Sequence, residues 1–359
     1  MGTIYFISES GKLGKQDDAL FFTSYTGNKR IIFLHETDRL IFLSGVDISS
    51  SALKLIMRHK IDTVFLNRNG LFNAKLEFEH GKNVFTRRDQ FRVLENEYLQ
   101  IPIVTGIVEG KLKNQLALMQ KINRKTEQNT IESTINEMQK LINKIPVTKS
   151  IETLRGIEGV AAKYYFSVFK YNIKPAWANF YGRSKNPPLD NINAVLSLLY
   201  TYLYYRVDAL IEAAGLDPCV GYLHKLEYSR RSLSFDLMEE FRVPLCDTLT
   251  CALFNLGILK EEDFEYKTAD DVVSTMPVTP ECLNSISEND AGKKKIPTFL
   301  TKTGLQKVSS QFDEKMNTLI LYPPTGERIS YFNVIAHQID HFKRVLKGEE
   351  KQYKSFLIR

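Results

Sequence analysis

Between residues 224 and 242 the chain gathers one imidazole (His224) and three arginines (Arg230, Arg231 and Arg242), and its second half adds three acids (Asp236, Glu239 and Glu240). Asp236 lies three residues before Glu239 and four before Glu240, so a helix sets all three carboxylates along one side. Like charges crowded on one face repel unless a cation sits among them, and arginines beside them suit a polyanion. These are the residue types of a metal-dependent site acting on nucleic acid.

The elements that must position such a site divide the chain in two. Residues 1–90 carry short β-branched or aromatic runs at 4–7, 19–23, 30–34, 39–43 and 63–66, separated by turn material at 9–12, 25–28 and 67–70. One helix interrupts them, capped at 49–51 and striped with Leu53, Ile56 and Met57. From Gln90 onward three- and four-residue spacing dominates, predicting helical segments over 113–144, 148–170, 190–214 and 234–258. The segment at 190–214 follows Pro187 and Pro188, has Asp190 as its N-cap and stops at Gly215. The pattern fails over 261–297, which reads as a long loop or mobile insertion. Helix returns over 299–348, broken once at 322–326. The fold class expected is α+β: a small β-rich N-terminal domain (1–90, the dimerisation unit) and a larger all-α catalytic domain (91–359).

Bulk properties narrow the chemistry little but exclude much. At 359 residues, 43% apolar and 25% charged, the chain suits two soluble folded units rather than disorder. Its net charge of +6 permits a nucleic-acid partner without demanding one, so basic residues must be concentrated locally. Cys219, Cys246, Cys251 and Cys282 lack zinc-ribbon spacing and read as reduced thiols. No secretory leader and no membrane-length apolar run is visible, which places the protein in the cytoplasm. No phosphate-binding GxxxxGK[ST] loop occurs. His337 and His341 share a helical face as in zinc proteases, but the glutamate that should follow the first histidine is Gln338. That motif reads as a polar helix face.

Four further blocks carry a family resemblance. They are Leu154-Arg-Gly-Ile-Glu-Gly159; Arg183-Ser-Lys-Asn-Pro-Pro-Leu-Asp190; Leu210-Ile-Glu-Ala-Ala-Gly-Leu-Asp-Pro218 with Gly221-Tyr-Leu-His224; and Leu233-Ser-Phe-Asp-Leu-Met-Glu-Glu-Phe-Arg242. In order and separation they resemble the CRISPR-associated integrase of the spacer-acquisition module, the larger of its two adaptation subunits. The resemblance implies a divalent metal, Mg²⁺ or Mn²⁺, held by Glu158, His224 and Glu239, with Asp236 as a supporting acid. Relatives often carry Asp where this chain has Glu239. The resemblance also implies double-stranded DNA as substrate, a homodimer, and a smaller adaptation subunit bridging two dimers.

Taken singly, each of these residues has a plainer reading: Glu158 as a solvated acid between glycines, His224 paired with Glu227, Glu239 and Glu240 as an exposed face. In register, the four blocks favour the catalytic reading. Phosphoryl transfer needs positive charge on the non-bridging oxygens, which a divalent ion supplies. Lys163, Arg183, Lys185, Lys225, Arg230, Arg231 and Arg242 are the candidate phosphate contacts. The reaction expected is attack of a DNA 3′-hydroxyl on a phosphodiester of the CRISPR array. Alternatives are a transposon-borne integrase of the same family and a structure-selective nuclease for branched DNA.

Overall fold

The computed structural model describes residues 2–7, 9–67, 72–76, 84–126, 129–178, 180–184, 187–228, 230–266 and 297–358. Two four-stranded sheets open the chain. The first has the order β1 (Gly2–Phe6), β5 (Thr37–Phe42), β7 (Asp62–Leu66), β8 (Phe72–Lys75); its first three strands run parallel. The second has the order β4 (Lys29–Ile32), β3 (Ala19–Ser24), β2 (Gly11–Gln16), β6 (Val46–Ile48). The turn expected at 9–12 gives way at Gly11 to β2. There Gly11 is needed because a Cβ would strike the backbone of Thr23 and Ser24 across the ladder.

Side-chain alternation along β5 explains how the two parts join. Leu40 and Phe42 pack with Leu13, Leu20, Phe22 and α1 (Ser50–Arg58), whose N-cap is Ser49. Ile41 and Leu43 point the other way and enter the helical core with Val64 and Leu66. The strand is therefore apolar on both faces, as a sheet covered on both sides requires.

The helical part starts with α2 (Val84–Leu94) and α3 (Glu97–Thr126). The periodic stretch 113–144 is two helices, with α3 ending at Thr126 and α4 spanning Asn129–Lys144. Helix α5 (Ile151–Phe169) is capped by Ser150, and α6 (Asn191–Ala213) by Asp190, whose carboxylate accepts from the Asn193 N–H at 2.7 Å. The stretch 234–258 is not one helix. It comprises α7 (Ser232–Phe241), a widened π-type turn (Arg242–Asp247) and α8 (Thr248–Asn255). Pro244 in that turn has no N–H for the regular ladder.

Within the expected insertion, β9 (Phe264–Tyr266) pairs with β10 (Thr298–Leu300), while 267–296 lies outside the described residues. The break at 322–326 is the turn of a hairpin, β11 (Leu319–Tyr322) and β12 (Glu327–Ser330), between α9 (Lys302–Asn317) and α10 (Tyr331–Lys347). Among the described residues, no helix is long and apolar enough to cross a membrane.

Candidate active site

Asp236, on α7 and 1% exposed, organises the loop that carries His224. Its carboxylate accepts from the N–H groups of Tyr222 (2.6 Å), Leu223 (3.0 Å) and His224 (2.9 Å), and its Oδ1 lies 2.7 Å from His224 Nδ1. The loop approaches α7 closely enough that a Cβ on Gly221 would meet Ser232 at 2.5 Å. In the neutral ring with Nδ1 donating to Asp236, Nε2 is the nitrogen left to accept a further partner on the other side. Nε2 faces Glu239, 3.9 Å from Oε1.

Glu239 is 1% exposed, yet two cations hold it ionised. Arg242 lies 3.0 Å from Oε1, and the ammonium of Lys111 lies 2.8 Å from Oε2. Burial alone raises a carboxyl pKa; here Arg242, then Lys111 and His224, outweigh it and hold the group down at about 2. Oε2 is buried and accepts no well-aligned hydrogen bond, despite the nearby ammonium. The same ammonium bonds Oε1 of Glu158 on α5. Glu158, His224 and Glu239 therefore converge from three separate elements, and Lys111 on α3 stands between the two glutamates.

Beside this cluster opens a cavity of about 1180 Å³, lined by Glu158, Glu239 and Lys111 at one end and by Lys163, Lys170 and Arg183 further along. Lys163 and Ser167 on α5 and Lys170 just past its end form an exposed stripe. Gly156 and Gly159, on either side of Glu158, have nothing within 4 Å of where a Cβ would sit, so this flank of α5 is open space. Arg183 bonds Asn193 and Ser197 and lies over the Tyr200 ring at 5.3 Å.

A model of the family described as CRISPR associated protein Cas1 matches residues 4–280. The chain is 30% identical to an endonuclease Cas1 of Chlorobaculum tepidum over 366 aligned residues, covering 100% of this chain and 99% of that one. It belongs to the Cas1 family. An endonuclease Cas1 of Rhodospirillum rubrum is 32% identical over 307 aligned residues, 83% of this chain and 88% of that one. In fold, a Cas1 protein of Thermotoga maritima superposes with a TM-score of 0.78 at 20% identity, covering 99% and 100% of the two chains. A casposase bound to an integration product gives 0.80 at 18% identity, with 99% and 93% covered.

Within this Cas1-family chain the other residues singled out in the sequence separate by environment. Glu240 does not share the side occupied by Asp236 and Glu239. Its Oε1 accepts from Tyr353 (2.7 Å), Gln338 donates to Oε2 at 3.1 Å, and the Phe356 N–H also binds Oε2. The His337–His341 pair is structural as well: Gln338 serves Glu240, and His341 stacks on Tyr353 and accepts from the Lys354 N–H at 2.9 Å.

Of the basic residues, Arg231 binds Asp208 at 2.6 Å and also Glu212, so its charge is met inside the protein. Arg230 pairs with Glu227 at 2.9 Å and covers Phe235. The exposed Lys225 lies 3.8 Å from Glu152. Lys163, Arg183 and Arg242 line the cavity. Lys185 lies outside the described residues.

Lys111 escaped the sequence reading. Its signal was a lone lysine on the mostly apolar stripe of Val104, Val108, Leu118 and Ile122, where a charge has no place without a buried partner.

Proposed function

We propose that the protein inserts short DNA fragments into a CRISPR array by metal-dependent strand transfer at the Glu158–His224–Glu239 cluster. The observation that carries this reading is that Lys111 links Glu158 to Glu239, with His224 Nε2 3.9 Å from Glu239, beside a cavity rich in basic residues, in a chain whose relatives include CRISPR-associated endonucleases. The donor set fits a hard divalent ion: two carboxylates, one with a buried oxygen lacking an aligned donor, and an imidazole whose Nε2 is turned outward by Asp236. Among the described residues no three such side chains are drawn together closely enough to hold an ion, and Lys111 stands between Glu158 and Glu239.

Glu158, Glu239 and Nε2 of His224 would hold Mg²⁺ or Mn²⁺. Such an ion supplies positive charge to the non-bridging oxygens and to the leaving oxygen of the attacked phosphodiester. The protein's own groups do the rest. Asp236 fixes the imidazole, Arg242 holds Glu239 ionised, and Lys163 and Lys170 take phosphates along the cavity. The 3′-oxygen of the incoming strand forms a bond to phosphorus as the array's 3′-oxygen leaves. One phosphodiester replaces another, and no nucleotide hydrolysis is needed. In this reading the working assembly contains a homodimer and a smaller adaptation subunit; among structural neighbours one is a Cas6-RT-Cas1–Cas2 complex, with a TM-score of 0.79.

The test is joining of a short duplex to a supercoiled array plasmid, with the smaller subunit present and with Mg²⁺ or Mn²⁺. Alanine at Glu158, His224 or Glu239 should lower joining by about 10³-fold or more, with DNA affinity changed only a few-fold. Normal joining by any of the three variants overturns the assignment.

A further inference from the structure

Two cations, the buried Lys111 and the partly buried Arg242, already offset the carboxylates of the partly exposed Glu158 and the buried Glu239. They are not equally fixed. Arg242 is a planar guanidinium held against Glu239 Oε1 and over the Tyr200 ring at 4.9 Å. Lys111 is a point charge on a four-carbon stem, 7% exposed, and it lines the open cavity next to Gln115. Its ammonium occupies the gap between the two acids where a shared divalent ion would lie.

We propose that Lys111 is the resident cation of the site, which a divalent ion must displace, so that ion and DNA phosphate load together. This rests on the metal-binding reading given above. Adding a doubly charged ion to a cluster that is already neutral leaves excess positive charge in a buried place. Lys111 keeps its proton and swings from the carboxylates into the cavity. A phosphodiester lying there accepts the displaced ammonium and restores the charge balance. Ion and phosphate therefore favour each other, and the coupling is reciprocal. Before DNA arrives, Lys111 keeps the two acids from repelling one another apart.

The test measures Mn²⁺ binding by the electron-spin resonance of free Mn²⁺, on the full chain, with no turnover involved. For the DNA-free protein, Lys111→Met should bind Mn²⁺ about tenfold more tightly than the unaltered chain, a difference of about 1.4 kcal/mol. Lys111→Arg retains a cation and should bind no more tightly than the unaltered chain. A duplex with dideoxy 3′ ends should tighten Mn²⁺ binding at least fivefold in the unaltered chain and less than twofold in Lys111→Met. A lysine that merely supported the fold would give equal or weaker binding on substitution, and that result overturns the inference. If Lys111→Met fails to fold, as circular dichroism would show, the DNA effect on the unaltered chain decides: an Mn²⁺ affinity indifferent to the duplex overturns it. Glu239→Gln separates the two readings. Should Glu239→Gln bind Mn²⁺ as the unaltered chain does, the metal site itself is misassigned. Should Glu239→Gln lose binding while Lys111→Met gains none, only the role of Lys111 fails.

Discussion

Glu239 and Glu240 are neighbours on one helix, both almost fully buried, and they meet opposite environments. Glu239 faces formal cations and is held at about 2. Glu240 faces neutral donors: a tyrosine hydroxyl, a backbone N–H and a carboxamide. For Glu240 burial dominates and pushes the group up to about 7, although every one of those bonds opposes it. The contrast shows that hydrogen bonds alone do not hold a buried carboxyl ionised as strongly as an adjacent charge does. In the proposed reading the carboxylate kept charged by cations is the one that would hold a metal, while the one satisfied by neutral donors fastens the structure.

Substitutions can break that contrast, and the largest effect falls on activity. Glu239→Gln should lower strand joining by roughly 10³-fold while the protein stays folded, whereas Glu240→Gln should retain joining to within a few-fold. Equal losses in the two variants, measured with the array plasmid, would erase the distinction. Stability should respond the other way. Glu240→Ala strands the Tyr353 hydroxyl and the Phe356 N–H and leaves the Gln338 amide only the Lys354 carbonyl, and should cost about 3 kcal/mol in urea unfolding.

Asp247 sharpens the comparison through pH. It accepts from the hydroxyls of Tyr165 (2.5 Å) and Tyr200 (2.7 Å), and burial raises it to about 6 against these bonds and the more distant Arg242 and Arg183. The folded state therefore keeps this proton to higher pH than the unfolded chain, whose aspartate ionises near 4. Raising pH from about 4 to 6 should destabilise the unaltered protein relative to Asp247→Asn, with the difference level above that range. A melting-temperature difference flat across pH 4–6 contradicts it. The smallest effect concerns the open flank of Glu158. Gly159→Ala fills empty space in a helix interior and should add about 0.5–1 kcal/mol of stability. Chemical denaturation measures this directly, and a loss of stability would mean that flank is not open.

Much of this was written locally in the chain, and the exceptions have identifiable causes. Asp190 and Ser49 announced their helices because capping is a matter of a few adjacent residues. The proximity of Glu158 to Glu239 was legible only through the register of four separate blocks, since no short-range rule brings the two together. Placing Asp236, Glu239 and Glu240 on one side was too coarse. Residues 239 and 240 differ by about 100° around the axis, enough in a helix buried all round to put them in different clefts. Strand β2 was hidden by its glycines and lysines, which pair through the backbone and give little alternation. The division of 234–258 turned on Pro244, whose effect was lost inside an apolar run. Lys111 stayed hidden because its partners are more than forty residues away.

The crossing of residues 353–358 over α3 has a mechanical consequence. Gly106 and Gly110 let Tyr353 and Ser355 lie directly on the α3 backbone, Asn114 accepts from the Ile358 N–H at 2.9 Å, and Glu240 grips the Phe356 N–H from the other side. The helix that bears Glu239 thus has a handle on its far side, one peptide bond from that carboxylate's residue. Any load that tugs the handle reaches Glu239 without touching the cavity on the other side of the helix.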